Sequence, residues 1–391
     1  MQECFFRILF VFPEVFLAIK KVVLSGYYGF GNFGDEAILS AITRGLNEHT
    51  ADLEISVLSN SKSVYLSSEF NIKCIPRMSP LAIINAMLSA DLVISGGGGL
   101  IQDSSGVSTI LYYLGIVRLA KFLGKKVMFY AQGVGPINTD KGKKITANIV
   151  NKVDLITVRD EESKKMFRDL GIKSPPIIVT ADPVISLEGK ASENVFSKEG
   201  LDGKSSFDFA ISVRAWDSSF DFLSEIAKAG DKICEEFNAR VILIPFQKSQ
   251  DLQVCEKLAS LMKSKTTIIK GDYTPEEMVG FIGKMDFLLA MRLHALIFAS
   301  SSLVPMAGIV YDPKVETFSK SIGIPHWNLE NINSEDIFNE VKKQQNEKNK
   351  VKSKLTEAIK PLREKSLQTA EIASELIKGI TPKVLAEKYS K

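Results

Sequence analysis

Cysteine, histidine and tryptophan are scarce: the 391 residues hold four, three and two of them. Cys4, Cys74, Cys234 and Cys255 form no C-x-x-C pair and no zinc spacing. That excludes a disulfide scaffold and a structural zinc module, and it fits a reducing cytoplasm. H-E-x-x-H, the G-x-S-x-G elbow and the P-loop Lys-Ser/Thr are all missing, so zincin, serine-hydrolase and P-loop chemistry drop out. Asp35, Asp103 and Asp182 reproduce no ligand spacing, and no metal is expected. No apolar run reaches the roughly 20 residues of a spanning helix. The nearest attempt is residues 1–19, with Phe5, Phe6, Phe10, Phe12 and Phe16, but Glu3, Pro13 and Glu14 interrupt it. A signal peptide's cationic start and small-residue cut are absent too. An interfacial anchor and an extension upstream of the true start both remain open for this segment.

What is present is a globular composition, 45% hydrophobic and 24% charged, on a chain long enough for two domains. The net charge of +3 is unevenly spread. From Lys342 to Lys391 thirteen Lys/Arg face six Asp/Glu, which leaves the rest of the chain slightly acidic. Such a distribution argues against a nucleic-acid channel, and no nucleic-acid partner is expected. The basic tail reads as a solvated helical surface or as a contact for an anionic surface.

From Lys21 onward short apolar runs alternate with helix-length stretches. VVLS (22–25), EISVLS (54–59), IKCI (72–75), DLVIS (91–95), KVMFYA (126–131), LITV (155–158) and PIIVT (176–180) come first. FDFAISV (207–213), RVILIPF (240–246), TTIIK (266–270), DFLLA (286–290) and VPMAGIV (304–310) follow a polar stretch. Continuous apolar strands spaced by helices predict parallel sheets covered on both faces. The predicted plan is an N-terminal Rossmann-like domain (20–187), a linker (188–206), a second Rossmann-like domain (207–332) and a basic helical tail (333–391). Pro361 and Gly379 are expected to break the tail into separate helices. Two Rossmann-like α/β domains facing across a cleft, with a helical C-terminal extension, is a GT-B-like fold, and its ligands sit at the carboxyl ends of strands.

Three Gly-bearing segments follow strands of the first domain. In GYYGFGNFGDE (26–36), Gly29, Gly31, Asn32, Gly34 and Asp35 are candidate ligand contacts, with Asp35 as a helix N-cap in the alternative reading. No acidic residue ends a second strand about twenty residues on, so this is not a dinucleotide fingerprint. Gly97 and Gly98 in the run 96–99, and Gln132 and Gly133 in AQGVGP (131–136), extend the same edge. Basic residues then mark strand ends: Arg159, Arg214, Arg292 and Lys314. Four cations at such positions predict a phosphate or carboxylate site. Of the histidines, only His294 shares that placement, and acid/base work is its expected role; His49 and His326 are read as structural or exposed.

The ordered set GYYGFGNFGDEAIL (26–39), SGGGGLIQD (95–103), YAQGVGP (130–136), VRDEES (158–163), TADP (180–183), SVRAW (212–216), MRLHALIFA (291–299) and YDPKVETF (311–318) resembles the polysaccharide pyruvyl transferase family, in particular its CsaB-type members. The resemblance implies transfer of the pyruvyl group of phosphoenolpyruvate to two hydroxyls of a sugar, typically N-acetylmannosamine, as a ketal. By that resemblance His294, Lys314 and Arg159 are the catalytic candidates, with Arg292 second to Arg159. It implies no cofactor beyond phosphoenolpyruvate as donor substrate, and a lipid-linked saccharide acceptor met by a cytoplasmic protein at the inner membrane face. The basic tail and Phe-rich start are the expected membrane contacts. A GT-B glycosyltransferase with a nucleotide-sugar donor is the alternative, with Glu316 as its ribose ligand; a non-catalytic carbohydrate- or anion-binding protein comes third.

Overall fold

In the computed structural model, residues 19–61, 70–103, 106–203, 205–216 and 221–390 are described; the Phe-rich segment, apart from Ile19, lies outside them. The first half contains β1 (Lys20–Tyr28), β2 (Leu53–Ser59), β3 (Ile72–Pro76), β4 (Leu92–Ser95), β5 (Gly98–Ile101), β6 (Lys126–Val134), β7 (Leu155–Val158) and β8 (Ile177–Val179). They form one sheet in the order β3-β2-β1-β4-β6-β7-β8, with β5 paired to the far end of β6. The second sheet contains β9 (Phe207–Ser212), β10 (Ala239–Leu243), β11 (Thr266–Ile268), β12 (Phe287–Ala290), β13 (Met306–Val310) and β14 (His326–Asn328), in the order β11-β10-β9-β12-β13-β14. Every pairing within the two sheets is parallel. The central strands are apolar on both faces because helices cover both sides.

The Gly-rich segments differ from the expected loops. Gly26 and Tyr27 belong to β1, Gly98 and Gly99 to β5, and Gln132 and Gly133 to β6. A glycine run carries no apolar side-chain pattern, so its backbone pairing is invisible to periodicity. The register of β6 against β7 shifts between Phe129 and Gln132, where Ala131 takes a positive φ of 44°.

The C-terminal region packs more closely than a solvated tail would. The helix Lys348–Ile377 runs for 30 residues straight through Pro361. That proline is exposed, so a carbonyl freed there is open to water. Gly379, with φ 99°, does end the segment before the helix Pro382–Tyr389. Ile359, Ala373 and Leu376 join a hydrophobic core that includes Ile38 and Met128 of the first half and Leu296 and Phe298 of the second. Ser374 Oγ donates to the His49 carbonyl (2.6 Å) at the end of the helix Phe33–His49. Polar contacts join the halves as well: Ser40 and Arg44 meet the buried Glu276. Within 188–206 a short helix, Glu193–Lys198, forms, and Lys190 N donates to the Glu276 carbonyl at 2.9 Å.

Candidate active site

Carboxyl ends of β1, β5 and β7 face those of β9, β12 and β13 across a cleft of ≈ 370 Å³. Asn32, Asp35, Arg159, Arg214, Arg292, His294 and Lys314 all line it. The first helix is tied to the opposite half at its start. Asn32, and not Asp35, is its N-cap: Asn32 Oδ1 accepts from Gly34 N at 2.9 Å, and Phe33 N donates to the Phe246 carbonyl at 2.9 Å. Asp35 is thereby freed to face the cleft from the first turn.

His294 stands in the first turn of the helix Leu293–Ser301. Its buried Nε2 lies 3.7 Å from Asp182 Oδ2, while Nδ1 lies over Gly34, where any Cβ would overlap the ring. Asp182 is itself buried, and its Oδ2 also receives Arg159 Nη1 at 3.4 Å. Burial pushes its pKa up, but His294, Arg159 and the Val184 N–H outweigh this and hold Asp182 below the usual carboxylate range. A carboxylate held toward its ionised form therefore backs both the imidazole and a guanidinium. Gly133 has the same relation to Arg159 that Gly34 has to His294: a Cβ there would come 2.6 Å from the guanidinium carbon.

The four cations are not equivalent. Arg292 forms a bidentate pair with the fully buried Asp251 through Nε (3.0 Å) and Nη2, so its charge is already matched. As an anion receptor it is weaker than its strand-end position suggested. Arg214 meets no carboxylate among the described residues; Nη1 donates to Tyr311 Oη (3.2 Å), and its Nε is buried without a partner. Lys314 Nζ lies 3.0 Å from Asp312, a part-exposed pair that an incoming anion can rearrange. Arg159 sees Asp160 and Asp182 only at 3.4 Å.

Asp35 lies in the fields of His294, Arg292 and Lys314; burial pushes it up and these cations only partly offset that, leaving its pKa at about 6. The neighbouring Glu36, raised by burial to about 7, holds the glycine loop by accepting from Gly29 N at 2.7 Å. A folded-state pKa near 6 against an unfolded value near 4 means the native state binds the extra proton between those values. Asp35 thus costs stability progressively from about pH 4 to pH 6, reaching roughly 2–3 kcal/mol above that range. Asp35→Asn is expected to be more stable than the parent at pH 8 and indistinguishable at pH 4, read by denaturant unfolding at the two pH values.

The remaining expected contacts support the site from behind. Gly29, Gly31, Gly34, Gly97 and Gly98 are absent from the cleft lining. Gln132 is fully buried, and its Nε2 donates to the Gly98 (2.6 Å) and Gly133 (2.8 Å) carbonyls, so it fixes β5 against β6. Glu316 pairs with Lys320 at 2.5 Å on the surface and does not line the cleft. Side chains not anticipated there are Tyr27, Gln102, Tyr113, Gln247, Gln250 and Tyr311. Tyr27 and Tyr311 stood in the diagnostic segments, whereas Gln247 and Gln250 carry no local signal.

Two Rossmann-like halves enclosing a cationic cleft define a GT-B-type protein, and solved structures agree. The S. aureus MnaA–UDP structure aligns with a TM-score of 0.64 at 14% identity over 92% of this chain and 96% of that one. Anabaena HepE with UDP-glucose gives 0.65 at 10% identity, covering 92% and 100%. The Neisseria meningitidis UDP-GlcNAc 2-epimerase bound to UDP-GlcNAc gives 0.62 at 14%, covering 92% and 100%. At such identities the likeness is one of fold. No curated protein sequence matches the chain. The family profile described as polysaccharide pyruvyl transferase matches residues 32–313, and the chain belongs to that family.

Proposed function

We propose that this transferase moves the pyruvyl group of phosphoenolpyruvate onto two hydroxyls of a saccharide, N-acetylmannosamine of a cell-wall polymer in the manner of CsaB-type enzymes, and releases phosphate. The observation that carries the reading is the convergence of Arg159, Arg214 and Lys314 around an Asp182-backed His294. Phosphoenolpyruvate bears a phosphate and a carboxylate on one carbon, and a cluster of incompletely paired cations suits such a ligand. His294, in its imidazolium form, delivers a proton to the methylene carbon, and the adjacent carbon becomes electrophilic. One sugar hydroxyl adds there, with Asp35 receiving its proton; a carboxylate with a pKa of about 6 is matched to that task. The carbon–oxygen bond to phosphate then breaks, with Arg159 and Lys314 stabilising the departing charge. Attack by the second hydroxyl closes the ketal and releases the second proton. The acceptor in this reading is lipid-linked and the reaction runs at the inner face of the cell membrane.

The UDP-liganded relatives of the fold favour a second reading, a glycosyltransferase with a nucleotide-sugar donor. The surface pairing of Glu316 removes the ribose ligand which that reading expected. Incubation with an N-acetylmannosaminyl acceptor and either phosphoenolpyruvate or UDP-sugars separates the two. Acceptor-dependent phosphate release with an acceptor mass gain from phosphoenolpyruvate is the expected result. UDP release with no reaction of phosphoenolpyruvate would establish the other chemistry.

A further inference from the structure

Two neighbouring helices of the first half have an unusual outer face. Pro80–Ser89 buries Ile83 and Met87 against the sheet, yet Leu81 and Leu88 point outward, and Met78 just precedes them. Val107–Phe122 repeats the pattern, presenting Leu111, Gly115, Arg118 and Phe122 at helical spacing on its exposed side. Met78 and Leu81 are each 77% exposed and Phe122 is 86% exposed. Both helices cover the same sheet face, since Ile83, Met87, Ile110 and Val117 share one core cluster. They are laced together at both ends: Tyr112 Oη donates to the Arg77 carbonyl at 3.0 Å, and Lys125 Nζ to the Leu88 carbonyl at 2.8 Å. Apolar residues scattered singly over a surface are ordinary, but four on two adjacent helices, with Met78 just before the first, form a patch.

Charge says what the patch faces. Neither helix contains an Asp or Glu. The helix Asp140–Val150, which packs beside Val107–Phe122, presents Lys141, Lys143 and Lys144 to solvent. Those three lysines and Arg118 meet no carboxylate among the described residues. A partner of this chemistry is negatively charged and apolar beneath, which describes an anionic lipid bilayer. The patch also adjoins the cleft. Tyr113 of Val107–Phe122 lines the cleft, and Arg77 lies 4.2 Å from the Tyr112 ring centre.

We infer that the face formed by Pro80–Ser89 and Val107–Phe122, rimmed by the lysines of Asp140–Val150, docks on an anionic membrane surface. Leu81, Leu88, Leu111 and Phe122 enter the headgroup boundary while the basic rim holds the lipid phosphates. The cleft mouth then lies close to the bilayer. This moves the membrane contact away from the C-terminal tail, whose helix is instead built into the core. The inference stands on surface composition alone, so it can fail while the proposed reaction survives, and the reverse.

The test is sedimentation of the full chain with vesicles of phosphatidylglycerol and phosphatidylcholine, and of phosphatidylcholine alone. Binding is expected only where phosphatidylglycerol is present, and to fall with added salt. Met78→Gln/Leu81→Gln/Phe122→Gln and, separately, Arg118→Glu/Lys143→Glu/Lys144→Glu are each expected to weaken it about tenfold or more. All six positions lie outside the cleft lining, so thermal midpoints and transfer to a water-soluble acceptor are expected to stay at parental values. Should the apolar variant misfold, the charge variant carries the test. Parental binding by the charge variant overturns the inference. So does loss of binding in Lys352→Glu/Lys354→Glu/Lys360→Glu alone, which would assign the contact to the tail. A dimer that the apolar variant dissociates, with no vesicle binding by the parent, overturns it in favour of a second copy.

Discussion

His294→Ala is expected to lower kcat by about 10²–10⁴ without changing the thermal midpoint, the range over which a positioned acid or base contributes. The side chain lies at the cleft wall with its Nε2 toward Asp182, so removing it takes the proposed proton donor from the site but leaves Asp182 paired with Arg159. Phosphoenolpyruvate affinity should change little, because the cations proposed to meet its charges are untouched. The parent reaction run in deuterated water is expected to place one deuterium in the product methyl group, derived from protonation of the methylene carbon. Asp182→Asn is expected to fall between His294→Ala and the parent: the imidazole stays, but the carboxylate 3.7 Å from its Nε2 is gone. Near-normal turnover by His294→Ala would mean that the proton comes from elsewhere.

The largest expected effect on stability comes from a residue away from the chemistry. Asp251 is fully buried and holds Arg292 by two bonds while also accepting from Gln247 N at 2.9 Å. Asp251→Ala leaves a guanidinium in the wall without its counter-charge, a change that costs about 3–5 kcal/mol. Against a total stability on the order of 5–15 kcal/mol, that is a large fraction. Asp251→Ala/Arg292→Met, which removes both charges, is expected to recover most of the loss in denaturant unfolding. A double variant as unstable as the single one would show that the pair is not where the energy lies.

Those two residues also show what could be read from the sequence. The alternation of strands and helices exposed both sheets, because parallel strands buried on both faces are continuous apolar runs. Strand-end position picked out Arg159, Arg214, Arg292, His294 and Lys314, and all five line one cleft. Position does not reveal partners. Asp251, in the helix Lys248–Leu261, lies 41 residues before Arg292, which only precedes the helix Leu293–Ser301, and nothing local announces their pairing. Asp182 stood in a conspicuous segment, yet its link to His294 exists only across the two halves. The glycines have neighbours that the sequence does not announce. An imidazole presses against Gly34 and a guanidinium against Gly133, which is reason enough for glycine at both positions. Gln132 likewise serves the backbone of β5 and β6. The tail's charge concealed a buried face, since the exposed cations on the outer side of the helix Lys348–Ile377 do not alter what its inner side packs against.

The central claim is that one cleft binds the donor against Arg159 and Lys314 beside His294. A crystal structure of the protein with phosphoenolpyruvate addresses it directly. The expected density places the donor's phosphate and carboxylate on Arg159, Arg214 and Lys314, with the methylene carbon next to the His294 ring. Phosphoenolpyruvate bound elsewhere, or a cleft that takes UDP and rejects phosphoenolpyruvate, would contradict the account.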